Sequence, residues 1–214
     1  AKELIFKAGK GVGKVTKPGL PIEVGEPAIN PAPRKMIEQN LRAIASEYKS
    51  ELNIEVEISI DNGAALAQKT WNPRLGIRGG LSILRTTGIV IPYSCAAWIA
   101  SIRQGIDVAR ATGIIHVAAC TGKTSEKAVT ALYGFEPSEI LDMGDFVGGT
   151  VKYLQTNPIP KVTIASGFGK VSKLAAGHMD LHSRRSQVDP KFIASLAAEG
   201  GINKNICRQI SKAE

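Results

Sequence analysis

The sequence predicts a mixed fold: an α+β subdomain over residues 1–71, joined to an α/β subdomain with an open parallel sheet over 72–214. Three observations predict it. Asn53 to Ile60, NIEVEISI, alternates apolar and polar residues with period two, the pattern of a strand with one buried face. Two apolar runs, GIIHVAAC at 113–120 and KVTIAS at 161–166, lack that alternation and read as strands buried on both faces. Segments of helical period lie between and after them, as in a parallel sheet crossed by helices.

In chain order, residues 1–25 spread glycines at 9, 11, 13, 19 and 25 among β-type residues, which predicts a hairpin or a pair of twisted strands. GKGVGK at 9–14 misses the dinucleotide spacing, because Lys14 stands where the third glycine belongs. A helix is expected from Arg34 to Tyr48, with Met36, Ile37, Leu41, Ile44, Ala45 and Tyr48 on one stripe and Pro33 in the first turn. The strand at 53–60 is expected to bury Ile54, Val56, Ile58 and Ile60 and to turn Glu55 and Glu57 to water. Asn62-Gly63 then leads into a short helix ending at Lys69.

Asn72 to Val90, NPRLGIRGGLSILRTTGIV, links the two parts. After the Gly79-Gly80 turn, the run Leu81 to Leu84 is expected as a strand adjacent to 114–119 and 162–165 in one sheet. Thr86, Thr87 and Gly88 follow it at a sheet edge, where hydroxyls and backbone N–H groups let a ligand approach closely. Ser94 is a fitting N-cap for a helix to Ala111, and Gly113 a stop. Further helices are expected at 124–133, ended by Gly134, at one or two places within 136–153, and at 170–176.

Composition narrows the function. The 214 residues carry a formal charge of +8 with 43% hydrophobic and 5% aromatic content. No run reaches the roughly 18 apolar residues of a membrane span. The charged opening AKELIFKAGKG lacks a signal-peptide pattern, and Cys95, Cys120 and Cys207 have no metal-type spacing, so a cytoplasmic protein with reduced thiols is expected. Few aromatics and no nucleic-acid motif argue against a nucleic-acid partner, whose binding would be strongly salt-dependent. A small polyanionic substrate suits the charge better.

Three loops carry chemistry. Thr121-Gly122-Lys123-Thr124-Ser125-Glu126 joins a parallel strand to a helix N-terminus, where unpaired N–H groups and the helix dipole favour a carboxylate or a ribose. A nucleotide P-loop needs glycine at 117, which is Val117. Glu126 either accepts ribose hydroxyls or caps the helix. Asp145, within MGDFVGG, is either an N-cap or a ligand acceptor, with the cap favoured by propensity. In GHMDLHSRRS at 177–186, His178 and His182 share a face if the segment is helical, but Gly177 argues for a loop and no third metal ligand accompanies them. Arg184 and Arg185 form a small basic cluster suited to carboxylates. His116, alone in an apolar strand, reads as a hydrogen-bonded core residue.

NPRLGIRGGLSILRTTGIV, TGKTSEKAV, MGDFVGG, KLAAGHMDLHSRRSQVD and VGKVTKPGLPIEVGEPAINPAPRKMI together resemble the cobalt-precorrin-5B C(1)-methyltransferase family of anaerobic cobalamin biosynthesis. The resemblance runs in order from about Val12 to Ala194. It implies an α+β subdomain joined to a Rossmann-like one, and methyl transfer from S-adenosylmethionine to ring carbon C(1) of a cobalt-bound macrocycle, giving cobalt-precorrin-6A. Cobalt then enters only as part of the substrate, and other enzymes of the pathway are possible partners. The family's usual opening, a Thr-Gly-Thr-Cys-Ala-type segment and an Asp-rich stretch, is not among these residues, so a truncated or partly ordered chain is expected.

On local chemistry, the donor is expected at Thr86, Thr87, Gly88, Thr121, Gly122, Thr124, Ser125, Glu126 and Asp145. The carboxylates of the macrocycle are expected at Arg74, Arg78, Arg85, Arg184 and Arg185. His178 and His182 are the candidate bases, in a reaction driven mainly by alignment of donor and acceptor. The alternative is a non-catalytic tetrapyrrole carrier with His182 as axial cobalt ligand.

Overall fold

The computed structural model describes residues 4–84 and 94–213. It is a mixed fold of helices and small sheets, two of them parallel, and its contacts cluster into two compact units, Ala1–Ile115 and His116–Glu214. The division falls at 115/116, so residues 72–115 cluster with the first unit, whereas the sequence suggests a boundary at 71/72.

In the first unit, β1 (Leu4–Ala8) pairs in parallel with β3 (Ile54–Ile58), Leu4 opposite Ile54 and Ala8 opposite Ile58. Of the two expected arrangements for residues 1–25, two strands do form there, but among the described residues they do not pair with each other as a hairpin. A parallel pair needs a crossover, and α1 (Pro31–Glu47) lies within it. The helix starts at Pro31, whose missing N–H costs nothing at a first helical position. β2 (Lys14–Val15) pairs antiparallel with β4 (Ile77–Arg78) instead.

The expected stripe on α1 is only partly covered: Ile37, Leu41 and Ala45 are half-buried, while Met36, Ile44 and Tyr48 are exposed. On β3 the alternation holds, but Ile54 is exposed and Val56 and Ile58 only half-buried, as is Ile60 beyond its end. Two strands cannot enclose their own apolar face. α2 (Gly63–Ala67) follows β3. α3 (Cys95–Ala111) forms as expected: Ser94 Oγ accepts from the Ala97 N–H at 3.3 Å, and Gly113 stands at φ +74°. The core joins Val15, Ile22, Ala28, Leu75, Ile77 and Val108, with Leu20 and Trp71 against it.

The glycines of GKGVG serve a backbone crossing. Leu81 N–H donates to the Gly11 carbonyl (2.9 Å) and Gly13 N–H donates to the Leu81 carbonyl (2.8 Å). A side-chain carbon at Gly11, which has φ +82°, would collide with the Ile60 carbonyl. Leu81 and Ile83 consequently bridge Val12 and Ile29. The run 81–84 thus pairs within the first unit and is not a neighbour of 114–119 and 162–165, contrary to expectation. Buried Asn72 closes the loop before it: Nδ2 donates to the Gly80 carbonyl (3.1 Å), and Ser82 Oγ donates to Oδ1 (3.3 Å). Arg85, Thr86, Thr87 and Gly88 lie outside the described residues.

The second unit runs β5 (His116–Cys120), α4 (Lys123–Tyr133), a 3-10 turn (Pro137–Glu139), β6 (Ile140–Asp142), α5 (Val147–Thr156), β7 (Lys161–Ala165) and α6 (Phe168–Ala175). α7 (Pro190–Glu199) and α8 (Lys204–Ser211) follow. Its three strands are parallel in the order β6-β5-β7. The runs at 114–119 and 162–165 are adjacent, as expected, with His116 opposite Lys161 and Cys120 opposite Ala165. β6 replaces part of the helix expected over 136–153: three residues are too short for a period to show, and pairing with Ala118–Cys120 makes them a strand.

Helices cover both faces of this sheet. Ala118 and Cys120 pack with Val129 of α4, Phe135 and Ile140. Ala119, on the other face, packs with Met143, Val147 of α5, Leu181 and the half-buried Val162 and Leu174. Burial on both faces explains why β5 shows no alternation. Among the described residues no helix is long and apolar enough to cross a membrane.

Candidate functional site

The topology selects one place in the second unit. The chain steps from β5 outward to β6, then returns past β5 to β7 on its other side. The connections diverge between β5 and β7, and the crevice beyond the carboxyl ends of two such strands is where open parallel sheets bind ligands. A cavity of about 550 Å³ lies there, within the range of small-molecule sites.

One wall is the loop after β5 and the start of α4: Thr121, Gly122, Lys123, Thr124 and Ser125. Thr121 N–H donates to the Ala165 carbonyl (3.0 Å), and its Oγ1 donates to Ser166 Oγ (2.9 Å), joining the two loops across the crevice. Ser125 is buried and committed to the helix start: its hydroxyl donates to the Gly122 carbonyl (2.7 Å) and accepts from the Gly122 N–H (3.2 Å). Glu126 sits in the first turn, half-buried, and does not line the cavity.

The other wall comes from the loop after β7 and from α6: Ser166, Gly167, Phe168, Gly169, Lys170 and Lys173. A side-chain carbon at Gly122 or Gly167 would meet no atom within 4 Å, so both glycines leave open space at the cavity. The N-termini of α4 and α6 bring unpaired N–H groups and positive dipole ends to it. Lys123, Lys170 and Lys173 line it, and among the described residues no acidic side chain does.

Asp145 follows β6, whose loop is tied to β5 by the Met143 and Gly144 N–H groups donating to the Cys120 carbonyl (2.8 and 3.2 Å). Asp145 does not cap α5, whose N-cap is Phe146. Its Oδ1 instead lies 2.9 Å from Lys170 Nζ. That contact lacks hydrogen-bond angles, so the buried Oδ1 keeps an unfilled acceptor position.

The segment 177–186 is a series of turns, with Gly177 at φ +89°. His178 and His182 therefore share no helix face. Both are exposed, and His182 Nδ1 accepts from the Arg184 N–H (3.2 Å). Arg184 and Arg185 are also exposed, Arg185 Nε 3.5 Å from Asp180 Oδ2, and none of these four residues lines the cavity. Arg74 stacks over the Trp71 ring at 6.0 Å and Arg78 stands exposed on β4, both in the first unit. Among the described residues no group of three or more His, Cys, Asp or Glu side chains could hold a metal ion.

His116 is hydrogen-bonded, as expected, but it is half-buried at the start of β5 and not in the core, because the strand enters the sheet's interior only from Val117 onward. Its Nε2 is 2.9 Å from Thr163 Oγ1, and its ring meets Phe135 and Tyr133 edge-on at 4.6 and 5.2 Å. Burial, helped by nearby Lys161, holds its pKa below the ordinary histidine value, with Glu139 opposing.

Sequence reasoning missed Ser166, Phe168, Lys170 and Lys173. The signal was present: SGFGK after KVTIA repeats the strand, glycine turn and helix start of TGKTS after HVAAC.

Comparison with known proteins adds the family. The CbiD family model matches residues 1–92. The cobalt-precorrin-5B C(1)-methyltransferase of Paramagnetospirillum magneticum is 61% identical over 203 residues, covering 93% of this chain and 57% of that protein. Proteins of the same name from Burkholderia mallei and Rhodospirillum rubrum are 56% and 54% identical, covering 97% and 98% of this chain and 57% of each relative. A crystal structure of the cobalamin biosynthesis protein cbiD from Archaeoglobus fulgidus is 24% identical, covering 93% of this chain and 57% of that one, with a TM-score of 0.33. The chain thus spans a little over half the length of the curated relatives it matches. Residues 1–92 match the CbiD family model, and most of the chain is similar to a little over half the length of proteins named cobalt-precorrin-5B C(1)-methyltransferase.

Proposed function

We propose that this chain takes part in S-adenosylmethionine-dependent methylation of ring carbon C(1) of cobalt-precorrin-5B, giving cobalt-precorrin-6A in anaerobic cobalamin biosynthesis in the cytoplasm. The observation that carries the reading is 61% identity, over 93% of the chain, to a protein named for that reaction. We read the second unit as a Rossmann-like subdomain and the part before it as the α+β subdomain, and assign the donor to the β5/β7 cavity.

The cavity suits such a donor in volume and in chemistry. Gly122 and Gly167 leave room for close approach, the helix N-termini suit a carboxylate, and Phe168, exposed at the cavity, offers a ring face for a base. When bound, the donor supplies an activated methyl group on a sulfonium. Thr121 and Ser166, linked across the crevice, fix the distance between the two walls. Holding donor and acceptor in line supplies most of the acceleration in such a transfer. Arg74, Arg78, Arg85, Arg184 and Arg185 are assigned to the carboxylates of the cobalt-bearing macrocycle. His178 and His182, on the segment tied to α6 by the His178 N–H donating to the Lys173 carbonyl (3.0 Å), are the candidate bases.

Calorimetric titration with S-adenosylhomocysteine tests the reading. Saturable one-site binding that is lost in Gly122→Val is the expected outcome. No binding at millimolar ligand removes the donor from this chain and leaves a tetrapyrrole-binding role.

A further inference from the structure

Lys173 stands apart from the other cations of the cavity. It is 7% exposed, although lysine is almost never fully buried without a partner. Its Nζ donates to the Leu181 carbonyl at 3.2 Å, and a single carbonyl fills one of three donor positions without neutralising the charge. Removing an ammonium from water is costly unless an anion compensates it. Among the described residues no such anion lines the cavity, and Asp145, the acid of the adjoining loop, has its Oδ1 2.9 Å from Lys170 Nζ. A mere strut to the Leu181 carbonyl requires only a neutral donor. Lys173 lines a cavity into which two helix N-termini also lead.

We propose that Lys173 is the carboxylate anchor of this cavity, its ammonium receiving a carboxylate of the bound ligand. Resting on the function proposed above, that carboxylate comes from the methionyl end of the donor or from an acidic arm of the macrocycle. Lys170 is held aside by Asp145 and Lys123 is exposed on the first turn of α4, so neither replaces it.

The test uses three probes: S-adenosylhomocysteine, 5′-methylthioadenosine, which lacks the amino-acid end, and uroporphyrin, a tetrapyrrole octacarboxylate. Lys173→Gln keeps a donor for Leu181 but loses the charge. If the donor supplies the carboxylate, the wild-type chain prefers S-adenosylhomocysteine over 5′-methylthioadenosine. Lys173→Gln then weakens S-adenosylhomocysteine alone, by about ten- to a hundredfold, the range of a charge-assisted hydrogen bond. If the macrocycle supplies it, the substitution weakens uroporphyrin by a similar factor and leaves both nucleosides unchanged. Wild-type affinities for all three probes overturn the proposal while leaving the methyltransferase reading intact. Absence of nucleoside binding to the wild type, with uroporphyrin lost in Lys173→Gln, does the reverse. Should the variant not fold, the wild-type chain decides. Equal affinity for the two nucleosides, with uroporphyrin binding insensitive to 100 mM acetate, then overturns the anchor; the opposite results support it.

Discussion

Lys170 Nζ lies 2.9 Å from Asp145 Oδ1, and this ion pair fastens the loop after β6 to the first turn of α6, one wall of the cavity. Both side chains are partly exposed, at 37% and 23%, so water screens the pair and its contribution is modest. Asp145→Asn is expected to cost about 0.5–1 kcal/mol, a fall in melting temperature of roughly 1–4 °C for a chain of this size. A double-mutant cycle with Lys170→Met checks it: strictly additive effects show that the two residues are not coupled.

Gly122 separates ligand space from fold stability. Its backbone is extended, at φ 166°, a conformation any residue adopts, and a side-chain carbon there meets nothing within 4 Å. Gly122→Val should therefore leave the melting temperature within about 1–2 °C, the scale of a neutral surface change. Affinity for S-adenosylhomocysteine should fall at least about tenfold through lost contacts. A large stability loss with unchanged affinity reassigns the glycine to a structural turn.

Arg184 and Arg185 are both exposed, and Arg185 has only a 3.5 Å contact to Asp180. If they hold carboxylates of the macrocycle, Arg184→Gln or Arg185→Gln should weaken uroporphyrin by about one to two orders of magnitude, since a charge-assisted contact contributes about 1.5–3 kcal/mol. Binding of S-adenosylhomocysteine should stay constant. Equal losses on both ligands, or none on either, exclude the pair from the substrate site.

His116 makes stability depend on pH. Burial first, then Lys161, lower its pKa in the folded chain. Below about pH 6.5, the ordinary histidine value, the unfolded chain takes up a proton that the folded chain declines, so stability falls as pH falls. The loss begins near that value and continues down to the lowered folded pKa; above it the contribution is constant. Melting curves between pH 5 and pH 8 should show a slope that His116→Gln reduces. An unchanged slope in the variant assigns the effect to other groups.

Local pattern was enough for the elements whose own residues settle their conformation. NIEVEISI had to be a strand, Ser94 and Gly113 had to bound a helix, and HVAAC and KVTIA were apolar enough to pair in a sheet, although only HVAAC is buried on both faces and β7, outermost in the strand order, leaves Ile164 exposed. The first wall of the cavity was readable for the same reason: a strand, a glycine and a helix start adjoin in TGKTS.

Tertiary structure decided what depends on partners distant in the chain. Leu81 to Leu84 had the composition of a sheet strand, but glycines at 11 and 80 let that backbone cross Gly11, and Leu81 went to Val12 instead. Ile140–Asp142 is too short to declare itself and became a strand by lying beside β5. The second wall of the cavity, with Ser166, Lys170 and Lys173, faces Thr121 only because β7 pairs with β5 across more than forty residues. Periodicity records which face of an element is buried; it carries no record of which other element buries it, because that depends on the topology of the whole sheet.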